Sequence, residues 1–433
     1  MATVHVIGAG LAGLNTALRL AQKGVAVRLY EGSSHAGGRC RSYHDPQLDR
    51  LVDNGNHLVF AGNHAAQRYL RDIGATDRMI DPGEAAYPFF DAATGERWTM
   101  RLNAGRLPFW MFASSRRIPG TSAADYLVLL RFRGAKATDC VTDVVKEGHP
   151  LFHRLIEPFA VAVLNTAAQE AAARLLWPVI VESFGQGGAA CRPLIARVGL
   201  SDSFVEPALT RLAQLGVVPA YGHRLRSARF EQNRIAALDF ANVQVPLLPG
   251  DLVILAVPHR MAAELIPGLK APVESRAIVN GHFRLPTAVS GPEGLSFLAI
   301  VNGTAQWLFF RGDVVTATVS AADVLADTDA EEVARRLWKD VARALNRPEQ
   351  PMPPCRVVKE KNATFAQTPA QVALRPPTKT SFTNLFLAGD WTDTGLPATI
   401  EGTLRSGEFA ASLALAELGQ GNVPIHRASS DRH

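Results

Sequence analysis

Residues 2 to 32 read ATVHVIGAGLAGLNTALRLAQKGVAVRLYEG. Val4, Val6 and Ile7 make a short apolar strand, Gly8, Gly10 and Gly13 follow, and Leu14, Ala17, Leu18 and Ala21 then recur at helical spacing. A second strand pattern, VAVRLYE, ends in Glu31. Strand, glycine turn, helix, strand and acid, in that order, predict a dinucleotide-binding βαβ unit. Gly8 allows the tight turn, Gly10 lets the backbone approach a pyrophosphate, and Gly13 lets helix and strand close together. The start of the helix, at Leu11 and Ala12, offers free N–H groups to phosphate. Glu31 stands where a ribose hydroxyl pair is gripped. A carboxylate there disfavours a 2′-phosphate and hence NADP, which leaves FAD and NAD.

The stretch EGSSHAGGRCRSY chooses between them. Gly37 and Gly38 followed by Arg39 suit a second loop folded over the same pyrophosphate, with Arg39 as its counter-charge. This arrangement is expected for FAD. The strand in LVDNGNHLVFAG then ends in polar groups, Asp53, Asn54, Gly55, Asn56 and His57, which are expected near the reactive ring of a flavin.

The chain of 433 residues is long enough for two domains, or for one domain inserted into another. A hydrophobic content of 47% with 20% charged residues describes a globular protein with a substantial core. The net charge of +5 is scattered, without a Lys/Arg block, so no nucleic-acid partner is expected. The charge is compatible with an anionic ligand or an anionic membrane surface. Cys40, Cys140, Cys191 and Cys355 stand far apart, which predicts free thiols in a reducing cytoplasm. No signal peptide or membrane-spanning stretch is expected. His149 and His153 have a metal-compatible spacing, but Pro150 between them and the lack of an acid motif favour surface positions, and no metal is expected.

With both glycine clusters in place, the N-terminal segment resembles the large FAD family of amine oxidases, protoporphyrinogen oxidases and phytoene-type desaturases. Near the other end, LFLAGDWT resembles that family's last flavin strand and ATIEGTLRSGEFAA its following helix. A finer resemblance, to the hydroxysqualene dehydroxylase branch, is carried by AGGRCRSYHD, DNGNHLVFAGN, AVLNTAAQEAAARLLWPVI, KNATFAQTP and NLFLAGDWTDTGLPATIEGTLRSG. The resemblance implies an α/β fold: a discontinuous Rossmann-like FAD-binding domain of the GR2 type with an inserted α+β substrate domain, which carries a mixed sheet and a helical part. The expected division is 1–62, 201–262 and 376–420 for the FAD-binding domain. Residues 63–200 form the helical, membrane-facing segment, 263–375 the substrate-domain sheet and helix, and 421–433 a flexible tail. It implies non-covalent FAD, with Leu225, Ala256, Val257 and Pro258 at the adenosine end. Gly389 and Asp390 close the last strand, where Asp390 accepts hydrogen bonds from ribityl hydroxyls or nearby backbone. Thr399 and Ile400 open a helix whose N–H groups face the pyrimidine end of the ring.

The implied reaction is reductive removal of the hydroxyl of hydroxysqualene to give squalene, within bacterial triterpene biosynthesis. It needs a bound flavin, a proton donor for the departing oxygen, and an apolar wall. Candidate donors are His57, Asp53, Asp393 and Glu401; a carboxylate serves only if apolar burial keeps it protonated. Phe152, Phe159, Leu164, Leu175 and Trp177, in a helical region over 123–185, are candidates for an apolar substrate channel, with Asn165 as a helix cap or a polar contact. The run RLPFWMFASSRRIPG at 106–120 has two readings: a buried loop or core strand, or a membrane-docking patch that collects an isoprenoid from a bilayer. The second reading places the protein peripherally on the inner face of the cell membrane. A phytoene-type desaturase or amine oxidase, and a non-catalytic flavin-bearing scaffold, are the alternatives.

Overall fold

The computed structural model describes residues 2–241, 243–347 and 350–419, so the tail expected at 421–433 lies outside the described residues. The apolar strand Thr3–Ile7 is the centre of a four-stranded parallel sheet. Ala26–Tyr30 pairs with it on one side and Leu252–Leu255 on the other, and Leu385–Leu387 extends the sheet beyond Leu252–Leu255. Three widely separated chain segments therefore build one sheet. The helix Leu11–Ala21 packs across it beside the C-terminal helix Ile400–Glu417. Their close approach depends on small residues: a Cβ on Gly407 would lie 2.6 Å from the Ala12 carbonyl oxygen.

A hairpin follows where alternation predicts one, Leu225–Glu231 with Arg234–Phe240. Its turn holds Gln232 and Asn233 at φ 45° and 62°, as a tight hairpin turn requires.

The second large unit is a seven-stranded mixed sheet in the order Cys355–Phe365, Ser275–Arg284, Val314–Val319, Trp307–Arg311, Phe297–Val301, Ala86–Asp91, Arg97–Arg101. Residues on alternate faces of a strand go opposite ways. One face of this sheet buries Phe283, Leu298, Ile300, Leu308 and Phe310 against the amphipathic helix Ala330–Ala344 through Val333, Leu337 and Val341. The other face carries Tyr87, Phe89, Trp307 and Phe309 toward the interior cavity.

One sequence expectation needs correction, and another divides between its two readings. Segment 63–200 is not wholly helical, because it supplies the strands Ala86–Asp91 and Arg97–Arg101 to the mixed sheet. Within 123–185 the helical part comes in separate pieces: 3₁₀ turns over Ala123–Gly134, then Val141–Val144, a continuous helical run of Phe152–Ile156 and Glu157–Leu164, and Ala173–Leu175 leading into Leu176–Glu182. Neither reading of 106–120 describes the whole run. Trp110 is buried, edge-on to Tyr126 at 4.9 Å between ring centres, while Leu107, Phe109 and Phe112 are exposed. Among the described residues no helix is long and apolar enough to cross a membrane.

Candidate active site

A cavity of about 1150 Å³ runs between the parallel sheet and the mixed sheet. Gly8, Gly10, Leu11 and Ala12 form one end of its wall, with Glu31 beside them. The three glycines of the first turn have separate jobs. Gly8 has φ +104°, and a Cβ on it would lie 2.4 Å from the Ala256 carbonyl oxygen. A Cβ on Gly13 would stand 1.8 Å from the Gly8 carbonyl oxygen, so Gly13 serves packing and does not line the cavity. A Cβ on Gly10 meets nothing within 4 Å. That side of Gly10 is open to a ligand. The helix it begins has no side-chain N-cap and no acid in its first turn, which leaves its first N–H groups for an anion. Glu31 is fixed by the backbone N–H groups of Ala9 and Ser33, 2.8 and 2.9 Å from its two oxygens. These features fit a dinucleotide pyrophosphate and ribose.

The second glycine loop also faces the cavity through Gly37, Gly38 and Arg39. Arg39 does more than the expected counter-charge role. Its guanidinium donates to Asp390 at 2.8 Å and to the carbonyl of Ala363. Burial would push the Asp390 carboxyl up, but the adjacent Arg39 charge and hydrogen bond hold it below the usual carboxylate range. The two ends of the chain are thus tied by one ion pair at the cavity wall. Gly389, at φ +146°, precedes Asp390, and its N–H donates to Ser406 Oγ at 2.8 Å. The loop after Asp390 is held by Arg375, buried, which donates to the carbonyls of Asp390, Thr392 and Leu396. Thr399 caps the next helix through Gly402 N–H at 3.1 Å, and both Thr399 and Ile400 line the cavity. Leu225, Ala256, Val257 and Pro258 line it as well, beside Tyr30 and His223.

Asn54, Gly55, Asn56 and His57 line the cavity where it meets the mixed sheet. Asn54 Nδ2 donates to Glu360 at 3.2 Å, Asn56 Nδ2 to Thr318 Oγ1 at 3.3 Å, and Thr318 Oγ1 to Asn280 Oδ1 at 2.7 Å. Burial lowers the His57 pKa below the ordinary histidine value, Asp53 opposing and Arg39 reinforcing it. His57 therefore faces the cavity as a neutral imidazole near pH 7.

The three carboxylate candidates for proton donor do not fit that part. Asp53 is buried but turned away from this cavity: its Oδ1 accepts from Ser42 Oγ at 2.6 Å and Leu200 N–H at 2.9 Å, and its Oδ2 lies 2.9 Å from Arg311. Asp393 is exposed and off the cavity wall, so it lacks the apolar burial that would keep a carboxyl protonated. Glu401 lines the cavity, but it accepts from Ala65 N–H, Ala66 N–H and Arg405 at 3.0, 2.9 and 2.8 Å. Such a donor set suits a structural carboxylate that caps the helix His64–Asp72.

Of the channel candidates, Phe159 and Asn165 reach the cavity. Phe152, Leu164 and Leu175 are buried in the core, and Trp177 packs on that core without lining the cavity, because a helix presents only one face to it. Asn165 closes its helix at φ 45° and bonds Thr364 Oγ1 and Ala321 N–H at 3.0 and 2.7 Å. The apolar wall is built mainly by residues not singled out from sequence: Tyr87, Phe89, Met100, Trp307 and Phe309 from the mixed sheet, and Leu155, Val163, Val179 and Phe184 from the helical part. The pairs Tyr87/Phe89 and Trp307/Phe309 carry the period-two signal that marks them as one face.

Comparison with known proteins agrees with this geometry. The family model for flavin containing amine oxidoreductase matches residues 11–415. The hydroxysqualene dehydroxylase of Rhodopseudomonas palustris is 46% identical over 96% of this chain and 98% of its own length. That of Sinorhizobium fredii is 44% identical over 96% and 98%. Among solved structures, cyclohexylamine oxidase from Brevibacterium oxydans superposes with a TM-score of 0.66 at 14% identity, covering 96% of this chain and 99% of that one. The open Gly10 backbone, the second glycine loop and the strand-end Asp390, brought together around one cavity, agree with these relatives: the chain belongs to the flavin containing amine oxidoreductases and, within them, to the hydroxysqualene dehydroxylase family.

Proposed function

We propose that this protein binds FAD without a covalent bond and reductively removes the hydroxyl of hydroxysqualene, releasing squalene and water. The observation that carries this reading is one continuous cavity, polar and glycine-walled at the nucleotide end and aromatic at the other. Gly8, Gly10, Glu31, Gly37, Gly38, Arg39, Asp390, Thr399 and Ile400 would hold the cofactor; when bound in reduced form, the flavin supplies a hydride. The chain's own residues do the rest. Tyr87, Phe89, Trp307, Phe309, Phe159 and Phe184 wrap a long hydrocarbon and exclude water from a carbocation. His57, Asn56 and Thr318 are among the polar groups that face the cavity where it meets the sheet, and His57 is the candidate for donating an N–H to the departing oxygen. Non-covalent binding is favoured by the two cavity thiols, Cys40 and Cys191. Burial pushes both up, Cys191 to about 12, so both stay protonated and poorly nucleophilic.

The substrate reaches this cavity from a lipid surface. Leu107, Phe109 and Phe112, with Leu127 and Leu130, are large apolar side chains left exposed beside Arg106, Arg116, Arg131 and Arg133. Such a mixture suits an anionic bilayer face.

The purified holoprotein, incubated with hydroxysqualene and dithionite or a flavin reductant, is expected to give squalene on lipid analysis. Acid precipitation is expected to release all of the yellow chromophore. Squalene formed only with protein and reductant supports the reading. Recovery of untouched substrate, or of a more unsaturated product without reductant, overturns it in favour of a scaffold or a desaturase.

A further inference from the structure

Behind Asn56 lies a second chamber of about 160 Å³. Asn56 and Phe309 line both spaces, so one thin wall separates them. The chamber brings a cluster of polar side chains together with apolar ones such as Ile80, Ile195 and Phe310, where the far half of the large cavity is mainly aromatic. Asp53 and His282, each 1% exposed, line it together with Thr316 and the half-buried Arg311. At its outer end stand Leu51 and Arg197, both exposed, which opens it toward solvent.

His282 carries the argument. Its Nδ1 sits 2.8 Å from Thr316 Oγ1, while its Nε2 is buried and has no hydrogen-bond partner among the described residues. An unpartnered buried polar atom costs on the order of 1–3 kcal/mol. A buried water with room and polar partners removes that cost, and this chamber offers the carboxylate of Asp53, the guanidinium of Arg311 and the amide of Asn56 as further partners. Burial lowers His282 to about 4, opposed by the charges of Asp53 and Asp45 and weakly by the nearby Asp53 backbone, whose approach falls short of a full hydrogen bond, and reinforced by Arg311. The ring is therefore neutral near pH 7, with one nitrogen donating and one accepting, which suits a link in a water chain.

The proposed reaction needs such a chain. Cleaving the C–O bond of an alcohol consumes one proton and releases one water, and hydride then closes the carbocation to a C–H bond. The half of the large cavity that would hold the hydrocarbon is lined by aromatic side chains, and its neutral His57 holds no surplus proton. We propose that the small chamber is a hydrated side-channel of the active site, through which the proton for the leaving hydroxyl enters and the product water departs, with Asn56 at the junction and His282 as the positioning residue that anchors the water chain. This rests on the dehydroxylation reading above.

Two arms test it. A high-resolution crystal or neutron structure of the holoprotein is expected to show ordered water within hydrogen-bond distance of His282 Nε2, whatever the substrate proves to be. His282→Leu is expected to keep full flavin content and visible spectrum while slowing single-turnover dehydroxylation by about tenfold or more, with an altered solvent deuterium isotope effect. His282→Gln, which keeps a hydrogen-bonding end, is expected to recover most of the rate and guards against a folding defect in the first variant. A dry chamber, or undiminished single turnover with an unchanged isotope effect in both variants, overturns the side-channel and leaves dehydroxylation standing. Wild-type protein that leaves hydroxysqualene untouched overturns the parent reading and the traffic assigned to the chamber with it.

Discussion

Gly10 and Gly13 are three residues apart, yet substitution should separate binding from folding. A side chain on Gly10 points into open cavity, and its backbone, at φ −72°, suits any residue. Gly10→Val is expected to leave the melting temperature of the apoprotein unchanged while abolishing flavin retention, read from absorbance near 450 nm. Gly13→Ala drives a Cβ to 1.8 Å from a backbone oxygen and is expected to destabilise the fold by about 2 kcal/mol or more. Loss of flavin from both with equal loss of stability would sink the distinction. His282 gives a second residue-level expectation. The unfolded chain takes up its proton near pH 6.5, the folded chain only near about 4. The unfolded state binds more protons in that window, so this contribution is complete above pH 6.5 and is lost as pH falls toward 4, on the order of 3 kcal/mol. The urea midpoint of wild type is expected to fall more steeply between these values than that of His282→Gln. At this scale the cofactor end was legible in the sequence, because glycines and an acid at fixed local spacing carry its meaning. Asp53 was not: it sits in the same polar run as His57, and only tertiary packing turns it toward Arg311 and the smaller chamber.

Among the elements, the C-terminal helix Ile400–Glu417 is joined to two others by a single side chain. Arg405 donates to both oxygens of Glu182 at 2.9 and 2.8 Å, and to Glu401, which in turn caps the helix His64–Asp72. Glu182 ends the helix Leu176–Glu182, whose Val179 lines the aromatic half of the cavity. The C-terminal helix and the aromatic half of the cavity wall thus share one charge cluster. Arg405→Met leaves two carboxylates facing each other without their cation, and is expected to cost about 2 kcal/mol after allowance for partial exposure. Thermal melting with and without added FAD checks it; an unchanged melting temperature in both states would show that the cluster is merely surface charge. Resemblance announced the C-terminal helix and composition the helical region around Leu176–Glu182, but neither revealed the strand Ala86–Asp91. That strand contains Pro88, which reads against a sheet interior, and its parallel partner Phe297–Val301 lies some two hundred residues away, beyond any local pattern. Phe152, Leu164, Leu175 and Trp177 missed the cavity for a related reason: apolar residues in helical turns look alike whether they face a core or a cavity.

For the whole molecule, the question is how an insoluble C30 chain reaches the aromatic half of the cavity. Five of the exposed apolar side chains lie on two neighbouring turns. Leu107, Phe109 and Phe112 are 63%, 64% and 74% exposed, and Leu127 and Leu130 are 62% and 59% exposed. The 3₁₀ turns that carry them, Phe109–Phe112 and Ala123–Gly134, pack on each other, and the latter packs on the cavity-lining helix Leu176–Glu182. Trp110 pins the first turn in place against Tyr126, so the patch is a fixed surface. Inserting two phenylalanine side chains into lipid contributes about 1.5–3 kcal/mol each, and each nearby cation adds about 1 kcal/mol on an anionic surface. Phe109→Ser/Phe112→Ser is therefore expected to weaken co-sedimentation with phosphatidylglycerol vesicles by at least about tenfold, with flavin content intact. Arg131→Ser/Arg133→Ser is expected to weaken binding at low salt and to flatten its salt dependence. Because the patch adjoins the cavity wall, the phenylalanine variant should also lose turnover of vesicle-borne hydroxysqualene while retaining turnover of detergent-dispersed substrate. Equal loss from both presentations would mean that these residues shape the cavity, and undiminished vesicle binding would mean that another face of the protein meets the membrane.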